Sequence, residues 1–404
     1  MTKPTSQNLN ARLKHIAFTG LAFILPACAT TEQVSVPVQM VNIDEMLINR
    51  SEVVAVVASV DVATDLEQSA LRWGYALKRK EALNALGLWV LTFDCPPGID
   101  PRDASVELER LQPRATVEAN HKYLLQSVTS PIGLALSNQA RLYANELIEW
   151  PEEGCETKIR IGMIDGQVDP SAISRKNVNI QRRDFVNEKV GQAARNHGTA
   201  VAEILVGEGR LNNAELLAAS VVAQDENGAT YSGVEPMLRA LDWLVREDVS
   251  LINVSLAGPY NGTLAKGFDL AVDKGVMIVA AVGNDGPDAR PRYPAALKSV
   301  FAATAVDSAK EVYEKAVRGQ HVDFAAPGVD VFVPTKGGGR YISGTSVAAP
   351  FATARLAILD GLSKKNDIND IRAKLSKLTE DLGEGGRDPV FGDGLITASG
   401  NCTG

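Results

Sequence analysis

Histidine is scarce in this 404-residue chain. Only His15, His121, His197 and His321 occur, and no two stand at the spacing of a zinc site, so a histidine-built metal hydrolase is excluded. No GxxxxGK loop is present to cradle a phosphate; "KGGGR", 336 to 340, reads as a surface loop. There is no long basic block, and the formal net charge is -8, which argues against nucleic acid as a partner. The apolar run "IAFTGLAFIL" near the N-terminus is too short to span a bilayer as a helix. No internal repeat or low-complexity tract stands out.

What is present suits export. Arg12, Lys14 and His15 precede that apolar run, as in a signal peptide, and "LPAC" follows, ending at Cys28. The tetrapeptide resembles a bacterial lipobox, whose cysteine is lipidated, although Pro26 is unusual there; ordinary cleavage near Ala27 or Ala29 is the alternative. One lipid on Cys28 would attach the chain to a membrane without a spanning segment. Either way the chain is expected in the cell envelope, anchored or periplasmic, or shed. Export permits disulfides. Cys155 and Cys402 flank the larger domain and form one pairing the sequence allows, alongside unpaired thiols.

Length and a 45% hydrophobic content fit one large domain and a smaller one. The expected division is residues 1–27 signal peptide, 28–49 linker, 50–125 a small α+β domain and 126–404 the larger domain. In the small domain "EVVAVVASV" reads as a strand and "TDLEQSALRWGYALKRK" as an amphipathic helix with Leu66, Ala70, Trp73 and Leu77 on one face. "LGLWVLTFD" and "ATVEANHKY" read as further strands, with a helix between them. From about residue 157, near-continuous apolar strands ("KIRIGMID", "VSLINVSLA", "VMIVAAVGN", "SVFAATAV") alternate with helices. That pattern indicates an α/β fold, a mostly parallel sheet covered on both faces, with reactive groups at the carboxyl ends of the strands.

Three residues stand at such ends: Asp165 closing "IGMID", His197 in "RNHGTAV" at a helix start, and Ser346 in "SGTSVAAP" at another. Singly each has an ordinary explanation as a turn cap, a capping histidine or an N-cap serine. Jointly they supply what acyl transfer needs. A serine hydroxyl requires a base to take its proton, histidine titrates in the useful range, and a buried carboxylate holds the imidazole in one tautomer. Asn284 in "AAVGNDGP" is a candidate donor to the oxyanion, beside the Ser346 amide at its helix N-terminus. Pro350 is expected in the first turn, where its missing N–H costs little.

The order Asp, His, Ser, with "HGT", "GTSVAAP", "VGNDG", "HVDFAAPG" and the tail "DLGEGGRDPVFGDGLITA", resembles the subtilisin-like serine peptidases, over roughly residues 130 to 400. The resemblance implies that Asp165, His197 and Ser346 form the triad, with Asn284 as oxyanion donor, in an exported endopeptidase made as a self-processed precursor. It implies that the small domain is a propeptide that assists folding and inhibits, with cleavage after His121, near Tyr123. Protein or peptide substrates would bind as an extended strand between two edge segments, "GATYSG", 228 to 233, with Gly228, Ala229 and Thr230 as candidate contacts, and Ser255–Leu256–Ala257–Gly258. The primary pocket would lie between the second of these and Ala281–Val282–Gly283. It holds no carboxylate, so a small or medium apolar residue is expected before the cut bond.

Three departures from the family pattern stand out: Gly166-Gln167 after the aspartate, Ala200-Val201-Ala202-Glu203 after "HGT", and Phe351 after Pro350. They motivate an alternative, a catalytically impaired lipoprotein of the same fold that serves as a binding or regulatory scaffold. A propeptide-like unit that inhibits other peptidases in trans is a second. The compact stretch after His197 lacks the loop that holds calcium in many relatives. No metal or cofactor is therefore expected, and Asp225 with Glu226 reads as a solvated turn.

Overall fold

The strand β1 (Glu52–Val57) carries five apolar residues in succession, Val53 to Val57, all fully buried. A strand in a small antiparallel sheet ordinarily alternates, because one face meets water. Here both faces are covered. Val53, Ala55 and Val57 pack with Leu66 and Ala70 of α1 (Val60–Arg72) and with Ala104 and Leu108 of α2 (Pro101–Leu111). Val54 and Val56 point the other way and belong to the core of the larger body. The computed structural model describes residues 46–48, 51–129, 138–186, 192–224, 228–335, 338–362, 367–398 and 402, within one unit, Met40–Gly404. The leader, Cys28, most of the linker, Asp225 and Glu226 lie outside the described residues.

The N-terminal sheet is antiparallel in the order β2-β3-β1-β4, with β2 (Ala76–Leu83), β3 (Leu88–Asp94) and β4 (Thr116–Ala119). The sequence reading ran α1 too far. Ser59 caps its start, and the helix stops at Arg72 because Gly74 takes φ +86°, a left-handed turn that glycine adopts without strain. Leu77 therefore sits in β2, and Trp73 is half exposed. "ALKRKEAL" is a strand whose lysines and arginine pair with acidic neighbours such as Glu52, Glu67 and Glu235. Two short strands follow, β5 (Leu124–Leu125) and β6 (Val128–Thr129).

The larger body is built on a nine-stranded sheet. In chain order its parts are β7 (Arg160–Asp165), β8 (Asn179–Asp184), α3 (Gln192–Val206), β9 (Glu215–Ser220), α4 (Val234–Arg246), β10 (Leu251–Val254), β11 (Leu256–Ala257), α5 (Gly262–Asp273), β12 (Met277–Ala281), β13 (Phe301–Val306) and β14 (Phe324–Pro327). Then come β15 (Val331–Thr335), β16 (Gly338–Ser343), α6 (Thr345–Ala357), β17 (Thr379–Glu380) and β18 (Leu395–Ile396). The order in the large sheet is β17-β18-β14-β13-β12-β10-β7-β9-β8, parallel except for the β17–β18 edge. Gly338 to Arg340, read from sequence as loop, begin β16, which pairs with β15. Cys155 and Cys402 are joined in a disulfide, one of the pairings the sequence allowed; Cys95 is free and buried.

Helices α4 and α5 lie between this sheet and the N-terminal one. The N-terminal unit closes both helix starts, where amides lack helical partners. Asn120 Oδ1 accepts from Val234 N at 3.0 Å, and Glu118 Oε1 accepts from Gly262 N at 3.3 Å. Farther along α4, Asp242 accepts from Ala85 N at 2.7 Å and Leu86 N at 3.0 Å, which pins the β2–β3 turn. Glu235 takes Thr92 Oγ1 and pairs with Arg79, while Arg239 pairs with Glu81. Burial raises the carboxyl pKa of Glu118, Glu235 and Asp242 above the usual range.

Candidate active site

Two glycines let the end of β7 and the body of α3 approach backbone to backbone. A Cβ on Gly166 would lie 2.1 Å from Ala194 O, and one on Gly198 would lie 2.4 Å from Gly166 O. The approach sets His197 against Asp165. His197 Nδ1 is 2.7 Å from Asp165 Oδ1, and its Nε2 is 3.0 Å from Ser346 Oγ. A carboxylate accepts only, so Nδ1 carries the proton and Nε2 is left as the base. Gly166 N also donates to Asp165 Oδ1, at 2.6 Å, and Asp165 Oδ2 has no hydrogen-bond partner among the described residues. The departure at 166 thus has a steric cause: Ala194 O occupies the space a serine or threonine would need. His197 lies in the second turn of α3, not at its start, because the helix begins at Gln192.

Ser346 is the second residue of α6, whose thirteen residues are all buried. Pro350 is not in the first turn; it stands inside the helix and removes the amide that would bond Ser346 O. Ser255 Oγ donates to that carbonyl instead, at 3.2 Å. Ser255 in turn accepts from Asn253 Nδ2, and Asn253 Oδ1 accepts from Thr353 Oγ1. The nucleophile's backbone is therefore tied to β10 and to the later part of its own helix. Asn284 Oδ1 accepts from Thr345 N at 3.1 Å and Thr345 Oγ1 at 2.9 Å. With the oxygen so committed, the Nδ2 donor faces the space over Gly344, where a Cβ would meet Nδ2 at 2.9 Å.

That space is occupied by the chain itself. Gln126 O lies 2.1 Å from the same Cβ position, accepts from Ser346 N at 3.1 Å and is 2.5 Å from Ser346 Oγ. Upstream, β5 pairs antiparallel with β11, Leu125 opposite Leu256 and Leu124 opposite Ala257. Tyr123 exchanges two backbone bonds with Ser232. Its ring is fully buried against Gly258, and its hydroxyl donates to Pro259 O at 3.0 Å. Downstream, β6 pairs with β16, Val128 opposite Ser343. One extended segment, 123 to 129, thus lies across the serine with the Gln126–Ser127 peptide bond at its hydroxyl.

The expected edge segment at 255–258 pairs with this strand as anticipated. In the other segment, 228 to 233, pairing falls at Ser232 rather than at Gly228, Ala229 and Thr230. Gly228 turns a hairpin at φ +86° and its carbonyl accepts from Gln224 Nε2. Thr230 borders a cavity of about 220 Å³ with Leu125, Ser127, His197 and Arg340. Ala281 ends β12, Val282 N donates to Ala303 O, and Gly283 N donates to Thr345 Oγ1. The residue seated beside them is Gln126, whose Oε1 accepts from Asn284 N at 2.8 Å. Arg340 and Gln126 escaped the sequence reading, and Ser232 lay within the expected segment without being singled out. Their roles depend on where an uncut strand lies, and no local motif carries that.

A parallel α/β sheet with a serine, histidine and aspartate bonded in series beside an amide donor is the arrangement of a serine hydrolase. The family model described as the subtilase family, Peptidase_S8, matches residues 116–394. The minor extracellular protease Epr of Bacillus subtilis (strain 168) is 33% identical over 217 residues, 51% of this chain and 33% of that protein. Subtilisin DY of Bacillus licheniformis is 30% identical over 252 residues, 59% of this chain and 88% of that one. Fervidolysin from Fervidobacterium pennivorans, described as a keratinolytic enzyme related to subtilisin, superposes with a TM-score of 0.68 at 19% identity, covering 88% of this chain and 61% of that chain. That likeness concerns the fold. The chain belongs to the subtilase family. It spans 33% and 52% of two of the curated relatives it matches.

Proposed function

We propose that the protein is a serine endopeptidase that first cuts its own chain between Gln126 and Ser127. The observation that carries this is the strand register: the segment is paired on both sides of that bond, with the bond on Ser346. Sequence alone put the cut near Tyr123; the register moves it three residues on.

The chemistry follows from the bonds in the site. Ser346 Oγ has one proton and two acceptors, His197 Nε2 at 3.0 Å and Gln126 O at 2.5 Å. Attack requires the proton on the histidine side, which frees an oxygen lone pair for the Gln126 carbonyl carbon. The carbonyl oxygen becomes an oxyanion, held by Ser346 N–H, with Asn284 Nδ2 as second donor. His197, now charged and oriented by Asp165, gives its proton to the Ser127 nitrogen as the C–N bond breaks. Water then hydrolyses the Gln126 ester by the reverse proton path.

Residues before the cut act as a propeptide. Their sheet caps α4 and α5, and Tyr123 to Gln126 fill the cleft, so the cut segment inhibits until it leaves. The leader and Cys28 support export, with lipidation of Cys28 as the finer reading. Protein substrates then enter as the extended strand that residues 123–129 trace.

Expression of the wild type beside Ser346→Ala tests the proposal. The wild type should take a fluorophosphonate on Ser346 and yield a fragment beginning at Ser127; the variant should stay intact and unlabelled. An unlabelled wild type that is never cut would overturn it.

A further inference from the structure

Resting on that reading, we infer that the site selects glutamine at the residue before the cut bond, whose amide is bonded at one end by the site and at the other by the bound strand. The Gln126 side chain is buried, 5% exposed. Its Oε1 accepts from Asn284 N at 2.8 Å, and its Nε2 donates to Leu124 O, two residues upstream in the same strand, also at 2.8 Å. The scaffold thus presents a fixed backbone donor, and the bound strand presents a fixed backbone acceptor. Only a side chain with an acceptor and a donor on one carbon, at glutamine's reach, satisfies both.

Each neighbouring chemistry fails for a stated reason. Glutamate has the same shape, but its second oxygen would face Leu124 O, acceptor against acceptor, and its charge would be buried. Arg292, whose side chain lies against Gly283, is already engaged with Asp285 at 2.8 Å. Lysine and arginine have no carboxylate among Ser255–Gly258 and Ala281–Gly283. Leucine and methionine fit by size but leave the Asn284 amide without an acceptor. Asparagine is one methylene too short. The amide read here is a main-chain N–H, which no substitution at position 284 other than proline removes. The sequence-based expectation of an apolar residue is replaced by an uncharged polar one.

A buried donor left unmet weakens transition-state binding by about 10- to 100-fold, and a buried unpaired charge by more. The test uses the full-length chain expressed and allowed to process, its active fraction counted by fluorophosphonate. Internally quenched peptides Tyr-Leu-Leu-Xaa-Ser-Val, with Xaa Gln, Glu, Leu, Met, Ala or Lys, are compared by kcat/KM. Glutamine is expected to lead leucine and methionine by about 10- to 100-fold, and glutamate and lysine to be slower still. In parallel, the Gln126→Glu and Gln126→Leu chains should process at least about tenfold more slowly than wild type. An enzyme that takes the label yet cuts after leucine or methionine as fast as after glutamine overturns this inference alone. A chain that takes no label and cuts no peptide overturns the function beneath it, and the inference with it.

Discussion

Replacing Gly258 with alanine tests whether the segment before the cut is held as a substrate strand. An added Cβ would lie 2.6 Å from Tyr123 Cδ1 and 2.8 Å from Lys122 O, so the strand must retreat by roughly 0.8 Å to reach ordinary contact. Gly258 does not have a positive φ, so the backbone accepts alanine without strain. A buried tyrosine removes about 150–250 Å² from water, worth about 4–6 kcal/mol at 25 cal/mol per Å². Losing about half of that contact costs about 2–3 kcal/mol, or about 30- to 150-fold in the rate of self-cleavage. The assay follows intact chain against time by gel, with fluorophosphonate labelling per processed chain as a control for the serine itself, which should match wild type. In a Tyr123→Ala background the ring is gone, and Gly258→Ala should cost much less than it does alone. Wild-type cleavage in the single variant, or equal costs in the two backgrounds, would refute the placement of Tyr123.

The remaining predictions concern the oxyanion, the covalent tie and proton linkage. Asn284→Ala should lower kcat by about 100- to 1000-fold with little change in KM, measured on processed enzyme; that figure comes from subtilisin, a member of this family, and is not worked from this site. Cys402→Ser opens a disulfide that spans 247 residues of sequence, and loop entropy puts its loss at about 5 kcal/mol, read from denaturant midpoints. Burial pushes the His121 imidazole down to about 4, and Arg102 adds to the shift. The bound segment therefore favours neutral His121, and its hold is complete above the ordinary 6.5 and lost as pH falls toward 4. That term alone weakens retention of the cut segment by roughly 20-fold between pH 7 and 5. Glu118, Glu235 and Asp242, raised by burial, act in the opposite sense. The measurement is thus the difference in release rate between wild type and His121→Gln, and identical pH profiles would refute it.

Much of the site was legible because its chemistry sits in contiguous motifs. "HGT" and "GTSVAAP" each combine a reactive side chain with the small residues that let backbones close around it. Gly166, Gly198 and Gly344 are visible in sequence as such. What they make room for is not: a carbonyl of α3, a carbonyl of β7's end and the Gln126 carbonyl lie far along the chain. The helix expected across residues 64–80 ends at Arg72 because Gly74 turns the chain, which the apolar spacing around it does not reveal. Pro350 was placed a turn too early, since the compensating Ser255 hydroxyl comes from another element. Within the segment 228 to 233 the contact with Tyr123 falls at Ser232, because strand register is set by packing on both sides and not by local composition.

The bridge between Cys155 and Cys402 has both anchors on the C-terminal side of Gln126. Whatever fastens the leader to a lipid layer would, after scission, keep hold of the discarded segment alone. On the proposed cut, the part that carries Ser346 would leave with Cys155 still joined to Cys402, and its departure would be timed by how long the spent segment clings.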